Sequence, residues 1–136
     1  MERNKLMNLL WSYKFASNKE QSTAEKIEML RSSKTSLCIS YDGLPGGGHS
    51  TMADYIARLT DLEAELNHYA RDKLIAYNKV TDVISSLRSE TDRELMYQRY
   101  IMWKSWLEIA DDMDYSYERV RHKHSEIIAK LQPLVE

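Results

Sequence analysis

The chain has 136 residues, of which 43% are hydrophobic and 29% charged, enough apolar side chain for one core plus an extension. Its formal net charge of −2 excludes a global basic field that would by itself announce nucleic acid, so any case for such a partner must rest on local charge. A single cysteine, Cys38, excludes an internal disulfide. With no signal pattern and no apolar run near the roughly 20 residues a bilayer requires, a free thiol, a cytoplasmic location and no membrane partner are expected.

Four Gly and two Pro suit a helix-rich chain, and the pattern predicts an all-α fold. Residues 3 to about 34 carry Leu6, Leu10, Tyr13, Ala16, Ala24, Ile27 and Leu30 at helical spacing. The stripe is thin between Ser17 and Thr23, and Ser22 with Glu25 reads as an internal capping box. One helix or two abutting helices are both open. Trp11 and Phe15, the large residues of this segment, are expected to pack.

Thr35 to Ser50 holds Pro45 and Gly46-Gly47-Gly48, which cannot continue a helix, and predicts a loop that lets the chain reverse. Gly43, Gly48 and Ser50 fit the phosphate-binding pattern G-x-x-x-x-G-K-S/T, except that His49 stands where the Lys belongs. Neutral His does not supply the fixed charge that phosphates need. No strand precedes the loop, and no acidic strand end offers a magnesium ligand. Nucleotide binding is not expected.

Thr51 to Arg88 predicts a long helix with two seven-residue series. One is Leu59, Leu66, Lys73, Val80 and Leu87; the other is Tyr55, Leu62, Tyr69, Ala76 and Val83. Leu74, Tyr77 and Ile84 widen the stripe. Such a seam needs a facing helix. The first expectation is the N-terminal segment folded back, giving a long antiparallel, coiled-coil-like helical hairpin over residues 1–88, with its Gly-rich loop at 35–50. The alternative is a second copy of the chain, a homodimer through the long helices.

Residues 89–136 read as three helices, the last two forming a helix-turn-helix. Thr91 and Glu94 make a capping box ahead of Leu95, Met96, Tyr100 and Ile101. Ser105 and Glu108 repeat it ahead of Trp106, Ile109, Ala110 and Met113. Asp114-Tyr115 breaks that helix, and Ser116 caps a third one with Val120, Ile127, Ile128 and Leu131 on its inner side. A short helix, tight turn and longer helix form the layout of a DNA reader whose last helix enters the major groove. At 100° per residue, Glu118, His122 and Ser125 point away from the apolar side, with Arg121 on one flank and Arg119 on the other. From Ser116 to Leu131 four basic residues face two acidic ones, a local net of +2. Arg and His at a helix start can neutralise phosphate or read base edges. His124 lies nearer the apolar side and is expected to pack. Two positions apart, His122 and His124 diverge too far to share a metal. No spacing suggests catalytic residues, a cofactor or a calcium loop. Trp106 is expected in the core and Trp103 half exposed.

The stretch RYI…SWLEIADDMDYSYERVRHKHSEIIAKL resembles the C-terminal DNA-binding region four of sigma factors. The resemblance rests on Arg99-Tyr100, Glu108-Ile109-Ala110, Ser116, Glu118 to Arg121 and Leu131. Over nearly its whole length the chain is similar to phage and prophage transcriptional regulators of the ArpU/RinA group. The resemblance implies sequence-specific binding of double-stranded DNA, with Tyr117, Glu118, Arg121 and His122 at the DNA-touching positions. Ser116, Arg119 and Ser125 complete the expected contact set. It leaves open a contact with host RNA polymerase. Three positions depart from the pattern. Asp114 stands where Gly is usual, and Asp tolerates a left-handed turn, so the turn is expected to survive; Lys123 stands where an apolar residue is usual, so the packing beneath the third helix is expected to differ; Tyr117 stands where a basic residue is usual, so the sequence read is expected to differ. The competing expectation, motivated by the negative net charge, is a small phage DNA-packaging or scaffold protein whose helix-turn-helix serves protein contacts.

Overall fold

The computed structural model describes residues 2–41 and 48–135, with side chains for 5–33 and 52–135. The fold is all-helical. Among the described residues it has α1 (Glu2–Tyr41), α2 (Gly48–Ser85), α3 (Glu90–Tyr100), α4 (Trp106–Met113) and α5 (Tyr117–Val135), and no strand. No helix among them is long and apolar enough to cross a membrane. The comparison of Gly43–Ser50 with a phosphate-binding loop, and the expectation for Cys38, fall outside the described side chains.

α1 is continuous, without the break at Ser22 that the sequence left open. The apparent gap in its stripe is bridged by polar side chains. Thr23 is 3% exposed, and its hydroxyl donates to the Lys19 carbonyl at 2.9 Å, so the buried oxygen stays satisfied within its own helix. α1 also runs seven residues into the stretch expected to be loop, and α2 resumes three residues before Thr51. Residues 35–41, TSLCISY, contain neither Gly nor Pro, so nothing there stops a helix.

The chain forms two compact units. One comprises Met1–Ala16 with Lys73–Glu136, the other Ser17–Asp72. In the second, Ile27 and Tyr55 are buried, Leu59, Leu62, Leu66 and Tyr69 are half-buried, and Arg31 reaches Glu63 at 3.7 Å. α1 and α2 are thus side by side there, in keeping with helix pairing along the heptad seam. The Arg31–Glu63 pair is solvent-exposed and contributes at most about 1 kcal/mol.

The first unit holds the main core. Leu6 and Leu10 from α1, and Val80, Ile84 and Leu87 from the α2 end, join Leu95, Met96, Tyr100, Ile109, Ala110, Val120, Ile127, Ile128 and Leu131 in one buried cluster. Tyr13 meets Tyr77 edge-on at 5.3 Å, and Trp11 meets Tyr100 edge-on at 4.9 Å. All ten heptad positions are buried or half-buried, although α2 ends at Ser85, short of the expected Arg88, so that Leu87 lies in the turn beyond it. Two expected packing residues are not. Phe15 is 64% and Leu74 62% exposed. Each lies two residues from a core position, Tyr13 and Ala76, and two helical steps turn a side chain to the opposite face.

Candidate functional site

Each helix of the C-terminal part starts for a local chemical reason. α3 is capped by Ser89, two residues before the expected Thr91. The Ser89 hydroxyl accepts from the Asp92 N–H at 3.3 Å, and Glu90 and Asp92 sit in the first turn, where the helix dipole favours acid. Arg93 closes the junction from the other side, donating to the carbonyls of Leu87 at 2.7 Å and Arg88 at 3.0 Å. α4 carries the expected capping box. The Glu108 N–H donates to the Ser105 hydroxyl at 3.2 Å, and the Ser105 N–H donates to the Glu108 carboxylate at 3.1 Å. Those Ser105 hydrogen bonds hold the Glu108 carboxyl below its ordinary range.

α4 ends at Asp114, which takes the left-handed conformation (φ 57°, ψ 40°) expected of the position usually held by Gly. The Asp114 N–H donates to the Asp111 carbonyl at 3.3 Å and the Tyr115 N–H to the Ala110 carbonyl at 2.9 Å. Ser116 then starts α5, accepting from the Arg119 N–H at 3.2 Å. α5 runs four residues past Leu131, with Pro133 tolerated in its last turn.

The inner side of α5 is as expected, with Val120, Ile127, Ile128 and Leu131 buried. His124 is buried too. Its Nε2 is 2.7 Å from the Tyr100 hydroxyl, and its ring packs edge-on against Trp106 at 4.7 Å. Lys123, at the position expected to pack differently, is half-buried and turns toward α3. Asp92, only 7% exposed, has Lys123 at 3.9 Å and Lys130 at 3.7 Å from its carboxylate oxygens.

The seven predicted contact residues are all exposed. Glu118, Arg121, His122 and Ser125 share one face, because three or four residues return the helix to the same side. Ser125 turns its hydroxyl back on the Arg121 carbonyl at 3.2 Å, and His122 pairs with Glu126 at 2.8 Å. Arg121 donates from Nη1 to the Tyr117 hydroxyl at 2.9 Å, and its guanidinium lies over the Trp106 ring at 5.1 Å. Arg119 goes the other way and stacks over Tyr115 at 4.0 Å. Ser116 is occupied as the cap of its own helix. The structure therefore places the two arginines on opposite flanks, each against an aromatic ring.

The sequence did not foretell the ring and cation column behind Arg121. Arg99 lies over Trp106 at 4.2 Å and over Trp11 at 5.1 Å, and donates to the Lys104 carbonyl at 2.9 Å. Burial, and then the nearby Arg121 charge, draw its pKa down from the ordinary arginine value. Its Nε, like Gln98 Oε1, has no hydrogen-bond partner among the described residues. Trp106 is half-buried rather than deep in the core. Trp103 is half-buried, with φ 58°; its indole N–H donates to the Tyr100 carbonyl at 3.0 Å and its ring meets Tyr13 at 5.3 Å. Positive φ at a large aromatic side chain is costly, and those two contacts hold it there. No local pattern in the sequence signals such a position.

Opposite charge gathers at the end of α4, where Asp111, Asp112 and Asp114 are exposed and Lys104 pairs with Asp112. Among the described residues, no three His, Cys, Asp or Glu side chains come together as a metal site. Compared with models of protein families, with curated proteins and with solved structures, the chain matches none.

Proposed function

We propose that this chain binds double-stranded DNA sequence-specifically, with the first turns of α5 in the major groove, and acts as a phage or prophage transcriptional regulator. The observation that carries the reading is the α4–turn–α5 geometry. A left-handed residue and a serine cap deliver α5 with Arg119, Arg121 and His122 exposed in its first two turns, and its apolar side against α3 and α4. Ser116, Tyr117, Glu118, Arg119, Arg121, His122 and Ser125 are the proposed contact residues. Contact with RNA polymerase belongs to the same reading.

A second reading is favoured by one specific observation. Leu107 on α4 is 69% exposed, next to three exposed aspartates that repel a phosphate backbone. A packaging or scaffold protein that uses this unit for protein contacts accounts for that surface. The two readings separate by genome-wide mapping of bound DNA during induction of the host prophage. A DNA-reading regulator yields discrete sites sharing one sequence, and the full chain then selects that sequence from a randomised duplex pool. Uniform or absent recovery of DNA favours the protein-contact reading.

A further inference from the structure

The two arginines of α5 are held in different ways, and the difference bears on what each can do. Arg119 lies with its guanidinium carbon 4.0 Å from the centre of the Tyr115 ring. Stacking of this kind constrains the plane and leaves the fork free to slide over the ring face. Arg121 is fixed at two points. Its guanidinium lies 5.1 Å from the Trp106 ring centre, and one Nη1 hydrogen is given to the Tyr117 hydroxyl at 2.9 Å. Trp106 is itself set by the His124 ring at 4.7 Å. The ring contacts, Trp106 at 5.1 Å and Tyr117 at 5.7 Å, and the hydrogen bond together restrict the direction of the fork.

The Nη1 contact leaves the opposite edge of the guanidinium, where Nε–H and one Nη2–H run parallel. Among the described residues no hydrogen bond or ion pair engages that edge. Two parallel donors at fixed spacing match two acceptors on one base edge, which in the major groove is guanine O6 and N7. A phosphate is gripped by a mobile cation almost as well as by a fixed one. A base edge is not, since a misdirected fork loses one of its two bonds. Tyr117 occupies the position four residues before Arg121, where a helix brings a side chain alongside, and it is 40% exposed, so its hydroxyl is bound without being buried.

We propose that Tyr117 is a specificity-determining positioning residue, whose hydroxyl, with the Trp106 ring, directs the free edge of Arg121 at a guanine in the bound duplex. This rests on the DNA reading above and adds to it the base read and the residue that enforces the choice.

The test substitutes Tyr117→Phe, which keeps the ring and removes the acceptor, alongside Arg121→Ala and the double variant, all in the full chain. Binding is measured to the duplex selected by wild type from a randomised pool and to a scrambled duplex of equal composition. Loss of one orienting hydrogen bond predicts about five- to tenfold weaker binding of Tyr117→Phe to the selected duplex. Binding to the scrambled duplex is unchanged, preference relaxes at a single guanine, and the substitution has no further effect when Arg121 is already Ala. In the free protein, slowed rotation of the Arg121 guanidinium, seen as separate Nη–H resonances, is lost in Tyr117→Phe. Equal weakening on both duplexes overturns the proposal, because Tyr117 then grips the backbone itself. So does unchanged selection by Tyr117→Phe. Wild type that selects no duplex overturns the DNA reading and this proposal with it, and is told apart by the absence of any sequence preference to relax.

Discussion

Replacing Leu10 by alanine should strongly destabilise the unit that carries α5, although Leu10 is more than a hundred residues away from α5 in sequence. Leu10 is fully buried, in one cluster with Leu95, Met96, Tyr100, Ile109, Val120 and Leu131. A buried Leu→Ala substitution loses the transfer energy of the removed carbons plus the cavity they leave, about 3 kcal/mol within a range of about 2–5. The unit, Met1–Ala16 with Lys73–Glu136, has about 80 residues, and a unit of that size is stable by about 4–12 kcal/mol in total. The substitution should therefore consume a large part of the margin and lower the melting temperature by about 12–24 °C. Trp11, Trp103 and Trp106 all belong to this unit, so tryptophan fluorescence in a urea melt reports on it alone. The control is Leu107→Ala, which removes the same atoms from a side chain 69% exposed and should change stability by no more than about 0.5 kcal/mol. If Leu10→Ala cost as little as Leu107→Ala, α1 would not be part of this core and the reasoning would fail.

Three further outcomes are expected. Asp114→Gly should be tolerated within about 1 kcal/mol in thermal melts, while Asp114→Val should cost about 1–2 kcal/mol more, because a left-handed backbone crowds a side chain at Cβ; equal melting of the two variants would deny the turn its dependence on that conformation. Glu108 has its carboxyl pKa lowered by the Ser105 hydrogen bonds, so the stability it contributes is present above the unfolded value and lost as pH falls through the folded one. Glu108→Gln should accordingly flatten the acid side of the stability–pH curve, and an unaltered curve would refute this. Arg119→Ala should weaken binding to all duplexes alike and reduce the salt slope by about one, whereas Arg121→Ala should cost about 1–3 kcal/mol on the selected duplex alone; the reverse pattern in salt titrations would exchange their roles.

What the sequence made legible was chemistry that acts over one helical turn. Ser105 with Glu108, Ser116 and Asp114 each satisfy or bend backbone within four residues, and all four are found in those roles. The α2 heptads were readable because burial repeats with the helix period. Legibility failed where size was weighed more heavily than phase, as with Phe15, and where the stripe was drawn too wide, as with Leu74. It failed again where two capping serines or threonines stood two residues apart, and Ser89 prevailed once Arg93 could close the carbonyls of Leu87 and Arg88. The Arg99–Trp106–Arg121 column joins α3, α4 and α5, and Trp11 brings α1 to it. Such contacts depend on tertiary packing, and no spacing in the chain encodes them. Their effect on the site is direct, because one of them places the Trp106 ring against the Arg121 guanidinium.

If α5 reads DNA as proposed, local charge decides the kind of binding it can support. Between Ser89 and Glu136 there are seven Lys and Arg against ten Asp and Glu. Lys104 is paired with Asp112, and Lys123 and Lys130 both lie near Asp92, so three of the seven cations are directed at acids. Arg93 is spent on two carbonyls and Arg99 lies between rings. Arg119 and Arg121 are left to face a duplex, beside an acidic end of α4. Few cations facing phosphate means few counterions released, hence weak attachment to arbitrary sequence and a shallow salt dependence. If the chain binds DNA as proposed, its affinity comes mostly from base contacts and from the shape of α5 in the groove, which makes the orientation of a single arginine count for more than it would on a strongly basic surface.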